Sequence, residues 1–552
     1  MTNRRCLLLL LVCCALGLAV PTVVGMTYSE RLSSHEGFYL VRVTDTAEVP
    51  VRRPRRSVLV VFDGLGYAEA RDMRSLSRLQ ALGQCWRTDV GPLSLSRPVY
   101  AVLSTGLEQD RSGARGNDDV RPLAAESVWE LARAAGMTVT GVSELPWWHE
   151  LFPGGFDAYE VAERASNFFE RAAPAQLQLI HPLYVDEAGH ADGAASRAYG
   201  EAVARADGEL SAFIDTLDLS QDLIVVTADH GHAPRGGHGG RQDNIAHVRT
   251  CFAGLGVRHL AAEGPLRATT VGPALALLLG LPFPAHMRAG DDDLDALWDI
   301  ADPAALPDTY MHERRGDVDR FRGANAAQLR EWLPASAGSW DRFYEAHRRR
   351  QWLVALPVLA LLPATLGLLV WLQRRRARVT GRRGALFGVG FVVMTFVGVY
   401  ALQVALRGSF DLSSIADRED FLGFTTALSV FSIAAAIALH LHLRRDPRAL
   451  LLDWTALSVV GTLLSLTHPL ALGWRLGYPV PAPELFFFPY FAAIFLGTLN
   501  GVGLLLCLAG AVLERSRRPA RSSHANLLAH INHTDNGIYM KARVLPGLER
   551  RR

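Results

Sequence analysis

Lysine is almost absent from this 552-residue chain: Lys541 is the only one, and arginine carries nearly all the positive charge. An arginine-for-lysine bias of this kind follows codon usage and identifies no partner. A net charge of +2 gives no electrostatic case for nucleic acid, whose binding depends on neutralising many phosphates. Cysteine is scarce as well, and six are too few for a disulfide framework in a chain this long. Cys6, Cys13, Cys14 and Cys507 lie in apolar, membrane-type runs. That leaves Cys85 and Cys251 in globular sequence, where a bridge between them is neither required nor excluded. Charged residues make up 20% of the chain and apolar residues 49%, unevenly spread. The first 350 residues or so read as globular, whereas 351–513 are mostly apolar. The length calls for at least two domains.

The long apolar runs are what the chain has in excess. Arg4-Arg5 followed by 6–24 is a basic flank and a run of membrane-spanning length, which reads as a signal peptide or a signal anchor over 1–25. Further runs at 352–373, 385–406, 422–443, 449–470 and 485–513 each predict a span, giving a membrane domain over 351–513. The connecting loops alternate in charge. Arg374 to Arg383, Arg444 to Arg448, and Arg515 to Arg518 are basic, whereas the loop with Asp411, Asp417, Glu419 and Asp420 is acidic. By the positive-inside rule the basic loops and a tail over 514–552 are cytoplasmic. The globular part, 26–345, then lies outside the cytoplasm. His440, His442, Asp453 and His468 fall near span ends, so the spans lack the buried charges of a transport path. A transporter with an external domain is disfavoured on that ground.

In the globular part, 57–62 (SVLVVF) and 223–226 are continuous apolar strands of the parallel-sheet kind. The first ends on Asp63, the second on Asp229-His230-Gly231, with His238 in a Gly-rich loop beyond. A third apolar strand, 177–185, broken by His181-Pro182, runs into Asp186 and His190, four residues apart across Gly189. Carboxylate and imidazole at strand ends suit a zinc or manganese site, although each motif alone is compatible with a polar turn. Ser96 precedes Pro98 and a helical run ending at Gly106. It reads either as a helix N-cap or as a nucleophile under a phosphate held at the helix start. Asn117 follows Ser96 by 21 positions. Helical stretches are expected at 69–82, 123–135, 194–217 and 271–279, and 290–341 reads as domain edge and linker. Strands alternating with helices predict an α/β fold with a mostly parallel sheet covered on both faces.

Taken in order, these motifs resemble the alkaline phosphatase superfamily, in its type I phosphodiesterase/nucleotide pyrophosphatase branch. The pattern has an acid after the first strand (Asp63) and a hydroxyl nucleophile two before Pro and ten before Gly (Ser96, Pro98, Gly106). It continues with an Asn (Asn117), D-x-x-G-H (Asp186, His190), D-H-G (Asp229, His230) and a final H-G (His238). The resemblance implies two divalent ions, zinc or manganese, one held by Asp63, Ser96, Asp229 and His230. The other would be held by Asp186, His190 and His238. It further implies Ser96 as the nucleophile of a phospho-enzyme and Asn117 as a donor to the phosphoryl group. The branch usually has Thr where this chain has Ser96; serine is the rule in phosphatase relatives, so monoester and nucleotide pyrophosphate chemistry both remain open. The layout, one N-terminal span, an external domain and a multi-span tail, resembles the glycosylphosphatidylinositol ethanolamine-phosphate transferases. The expected function is a membrane-bound phosphodiesterase or phosphotransferase acting on lipid- or glycan-linked phosphate esters at the outer membrane face.

Overall fold

The computed structural model describes residues 3–33, 37, 39, 42–43, 51–118, 120–164, 166–288, 294–343, 345–346, 349, 386–416, 418–444, 447–471 and 483–516. The expected span at 352–373 and the tail beyond 516 lie outside the described residues.

Eight strands form one sheet: β1 Ser57–Phe62, β2 Gly83–Asp89, β3 Val139–Ser143, β4 Ala158–Val161, β5 Leu177–His181, β6 Leu223–Ala228, β7 His247–Gly254 and β8 Gly264–Arg267. Their order is β4-β3-β5-β1-β6-β7-β2-β8, and β7 alone runs against its neighbours. The fold class read from the sequence, a mostly parallel α/β sheet, is the fold observed. Every residue of β1, β5 and β6 is buried, so both faces of the sheet centre are covered; β1 and β6 are apolar at nearly every position, whereas β5 also buries Gln178 and His181. With the parallel strands aligned, β1, β5 and β6 deliver their carboxyl ends to the same edge.

Several elements differ from the sequence reading. The expected helix at 69–82 is two helices, Tyr67–Asp72 and Arg74–Leu82, because Met73 between them is extended. The helix expected over 123–135 is shorter, Val128–Ala134, and starts where Ser127 and Glu130 form a reciprocal capping box. The strand expected to reach residue 185 stops at His181, and Asp186 and His190 sit on a helix, Tyr184–Asp192. The segment read as linker folds onto the core. Its long helix, Asp308–Trp332, buries Tyr310, Met311, Val318 and Phe321, and the Tyr310 hydroxyl donates to the Leu277 carbonyl at 2.7 Å. Cys85 and Cys251, opposite each other on β2 and β7, form a disulfide.

Among the described residues, five helices are long and apolar enough to cross a membrane: Leu7–Thr27, Leu386–Arg407, Arg418–Arg444, Ala449–Leu466 and Pro489–Val512. The N-terminal one is packed into the others, with Leu10 and Cys14 buried in a cluster containing Trp454, Leu457 and Leu499. The expectation that the spans hold no buried ionisable groups does not hold: His440 and Asp453 are both fully buried and meet at 2.8 Å, tying two of these helices together, because each neutralises the other's need for a polar partner.

Candidate metal centre

Three strand ends and one helix start build the site. Asp63 follows β1, Asp229 and His230 follow β6, and Asp186 and His190 follow β5 one helical turn apart. The helix Ser96–Thr105 begins at the same edge. Its N-cap residue is Leu95, whose side chain makes no capping bond, and Ser96 is the first helical residue. Of the two readings of Ser96, the N-cap one does not hold: its hydroxyl is turned to the site, with Oγ 3.3 Å from His230 Nε2.

Around His230 Nε2 three oxygens converge. Asp63 Oδ1 lies at 3.4 Å, Asp229 Oδ2 at 3.3 Å and Ser96 Oγ at 3.3 Å. Asp63 Oδ2 is occupied by the Tyr100 hydroxyl and by His181 Nε2 at 3.2 Å, and His181 is held in turn by Ser143 Oγ at 2.7 Å. Asp229 Oδ1 accepts from the backbone N–H of Gly64 at 3.1 Å and of His230 at 2.9 Å. The remaining oxygens, Asp63 Oδ1 and Asp229 Oδ2, are buried and have no hydrogen-bond partner. Orphaned carboxylate oxygens aimed at one imidazole nitrogen are a donor set that a divalent cation satisfies.

A second cluster adjoins the first through Asp186. Its Oδ2 is 3.4 Å from His190 Nε2, and its Oδ1 is 2.7 Å from His232 Nε2, 3.9 Å from His230 Nε2 and 4.0 Å from His238 Nε2. His238 Nδ1 lies 2.7 Å from the Ser94 carbonyl, and His190 Nδ1 is hydrogen-bonded to the Ala416 carbonyl. A carbonyl only accepts, so Nδ1 carries the hydrogen in each ring and Nε2 presents a lone pair. Those two lone pairs face each other at 3.2 Å. Burial, then the neighbouring His230, hold the His238 pKa well below its ordinary value, so His238 supplies no second proton of its own to relieve the repulsion. A cation between them relieves it, and the residues fit one.

The electrostatics of the metal-free site point the same way. Burial, then the Asp63 and Asp186 charges, raise the Asp229 carboxyl well above the usual range. Burial also acts to raise Asp186, but the His232 hydrogen bond and the surrounding imidazoles outweigh it and hold that carboxyl well below the usual range. Burial lowers His230 to about 4.

Three groups of ligand atoms are close enough to share an ion: Asp63, Asp229 and His230; Asp186, His230 and His238; and Asp186, His190 and His232. All seven residues named from the sequence as ligands are brought to one edge, with Ser96 among them. Asn117 is close by: its Oδ1 accepts from the Arg97 backbone N–H at 3.2 Å, next to Ser96. His232 was missed by the motif reading, which ends D-H-G at Gly231. The signal was a third histidine two residues beyond His230. Tyr100 and His181, which orient Asp63, carry no sequence signal beyond their proximity to the named motifs.

Residues 155–251 match the family described as the Metalloenzyme superfamily. That span contains Asp186, His190, Asp229, His230, His232 and His238. The catalytic subunit of mouse GPI ethanolamine phosphate transferase 3 is 25% identical over 272 residues, 42% of this chain and 24% of that protein. The human counterpart is 22% identical over 506 residues, 80% of this chain and 45% of that protein. The chain thus spans less than half the length of these curated relatives. Among solved structures, murine ectonucleotide pyrophosphatase/phosphodiesterase 5 aligns with a TM-score of 0.37 at 13% identity, over 46% of this chain and 100% of that one. The alkaline phosphatase PafA aligns with a TM-score of 0.38 at 11% identity, also over 46% and 100%. Within the globular part, residues 155–251 thus carry the Metalloenzyme-superfamily match together with six of the histidines and carboxylates that line the site.

Proposed function

We propose that this chain is a membrane-integrated phosphotransferase or phosphodiesterase in which Ser96 takes up the phosphoryl group. The observation that carries the reading is the place of the Ser96 hydroxyl, 3.3 Å from His230 Nε2 and beside two orphaned carboxylate oxygens. Asp63, Asp229 and His230 would hold one divalent ion, and Asp186, His190 and His238, with His232, the other. Bound there, two ions, zinc or manganese, supply charge stabilisation to the attacking and leaving oxygens of an in-line displacement.

The chain's own residues do the rest. Ser96 Oγ bonds to phosphorus as the bond to the leaving oxygen breaks; in the net balance the seryl proton ends on that oxygen. An acceptor hydroxyl, or water, then takes phosphorus from Ser96 and returns a proton to it. The helix Ser96–Thr105 turns its positive N-terminal end toward the phosphoryl oxygens. Asn117, anchored through its carbonyl oxygen, keeps its amide N–H groups for the same task.

The substrate class follows from where the site sits. Arg235, in the loop leading to His238, donates to the Leu406 carbonyl at 2.7 Å, at the end of one membrane-length helix. A site tied to a helix end at the bilayer surface suits a phosphate ester on a lipid or lipid-linked glycan. The names of the mouse and human relatives agree with a transferase of that kind. The arginine-rich loops and the Cys85–Cys251 disulfide support placing the globular part, 26–345, outside the cytoplasm and the tail inside. The test is turnover by the full-length protein in lipid nanodiscs, comparing a lipid phosphodiester with a soluble nucleotide diester. Preference for the lipid ester is expected, and preference for the nucleotide would overturn the substrate assignment.

A further inference from the structure

The segment 408–416 joins two membrane-length helices, Leu386–Arg407 and Arg418–Arg444, and lies against the metal centre. It is an ordered piece of chain. Asp411 Oδ1 accepts from the Ser413 backbone N–H at 2.9 Å, closing a single 3-10 turn over Leu412–Ser414, and the Ser414 hydroxyl donates to the Asp411 carbonyl at 2.7 Å. Asp411, Ser413 and Ser414 are buried although they belong to a loop between spans.

What buries them is the Gly-rich segment that ends in the site. Gln242 Nε2 donates to Asp411 Oδ2 at 2.9 Å, and the Ser413 hydroxyl donates to Gln242 Oε1 at 3.1 Å. A Cβ on Gly237 would lie 1.9 Å from the Ile415 carbonyl oxygen, and Gly237 has φ +85°, so the backbones meet where only glycine fits. One residue further, the Ala416 carbonyl accepts from His190 Nδ1. His238 is gripped between this contact and Ser94, whose hydroxyl accepts from the Gly239 N–H at 3.0 Å.

We propose that the 408–416 loop is a built part of the metal centre, with Asp411, Gln242 and the Ala416 carbonyl as positioning groups for His190 and His238. The proposal rests on the reading of those two histidines as ligands. Its physical content is tautomer control. The Ala416 carbonyl fixes the hydrogen on His190 Nδ1 and aims Nε2 at the ion, and the Asp411–Gln242 pair holds that carbonyl and the 236–240 backbone in register. It follows that the centre is complete only when the globular part is docked on the membrane helices. Ala416 lies two residues before the helix Arg418–Arg444, at most about 7 Å of chain, which keeps the His190 end of the site at headgroup level.

The experiment uses the full-length protein in nanodiscs, with zinc as the probe, reading bound zinc per chain against graded chelator. Gln242→Glu sets a carboxylate against Asp411. Gln242→Glu combined with Asp411→Asn restores an amide–carboxylate pair with the roles exchanged. The single variant is expected to hold zinc about 10- to 100-fold more weakly, the usual cost of losing an outer-shell partner, and the double variant to recover the parent affinity. If the single variant holds zinc as the parent does, or the double variant stays as weak as the single, the loop proposal is overturned while the metal reading stands. A parent protein that holds no zinc or manganese would overturn both.

Discussion

His232 Nε2 stands 2.7 Å from Asp186 Oδ1, with its other ring nitrogen buried and unpartnered. The approach depends on Gly189, in the same helix as Asp186, where a Cβ would fall 2.3 Å from the His232 ring. The glycine of the D-x-x-G-H motif therefore has a steric reason in this chain: it makes room for a third imidazole. His232→Ala removes that imidazole from Asp186. Metal affinity is expected to fall about 10- to 100-fold, measured by competition with a zinc-buffering dye. An unchanged affinity would assign His232 to packing alone.

Ser96→Ala is expected to abolish turnover and leave most of the bound metal in place, because the carboxylates and imidazoles remain. Asn117→Ala is expected to lower kcat by roughly 10²- to 10³-fold, the size of losing one donor to a charge-bearing transition state. Parallel assays of turnover and metal content separate the two. Loss of metal in Ser96→Ala, or full activity in Asn117→Ala, would contradict the assigned roles.

Metal binding should release protons. Without a metal, burial and then the charges of Asp63 and Asp186 raise the Asp229 pKa well above the usual range, so it holds its proton to higher pH than an ordinary carboxyl. A metal needs the carboxylate form, so affinity rises with pH up to the raised pKa and is flat above it. His230, lowered to about 4 by burial, is already neutral through that window and contributes no proton. Calorimetric titration with zinc in two buffers of different ionisation heat should show proton release that grows as the pH is lowered below the raised Asp229 pKa. Binding heats independent of the buffer would contradict this account.

The Cys85–Cys251 disulfide closes a loop of sequence separation 166 between neighbouring strands. Replacing both cysteines with alanine should cost roughly 2–4 kcal/mol of stability, read from the denaturant midpoint of the full-length protein. An unchanged midpoint under oxidising conditions would show that the bridge contributes nothing to stability.

The centre of the fold was legible because β1 and β6 are covered on both faces and so are apolar at nearly every position. β2, GQCWRTD, was not legible: its buried Gln84 turns its amide nitrogen to three carbonyls, those of Arg258, Asp299 and Ile300, which no local pattern reveals. The helix Asp308–Trp332 reads as linker in the sequence because its inward face includes charges. Arg314 and Asp317 are buried as a pair at 2.9 Å, and they break the apolar periodicity that marks a packed helix. The reversed direction of β7 had no signal either, since a buried strand reads the same both ways. In the site, strand-end acids and spaced histidines were readable as motifs. The contacts of Tyr100, His181 and the 408–416 loop join residues far apart in sequence, and only the folded chain brings them together.

The central claim is that Ser96 carries the phosphoryl group. Full-length protein in nanodiscs, turning over a lipid phosphodiester and stopped in acid, is digested and its peptides are analysed by mass spectrometry. The account predicts a phosphoryl adduct on Ser96 that forms at the rate of turnover and is absent from Ser96→Ala. An adduct on another residue, or undiminished turnover by Ser96→Ala, would contradict it.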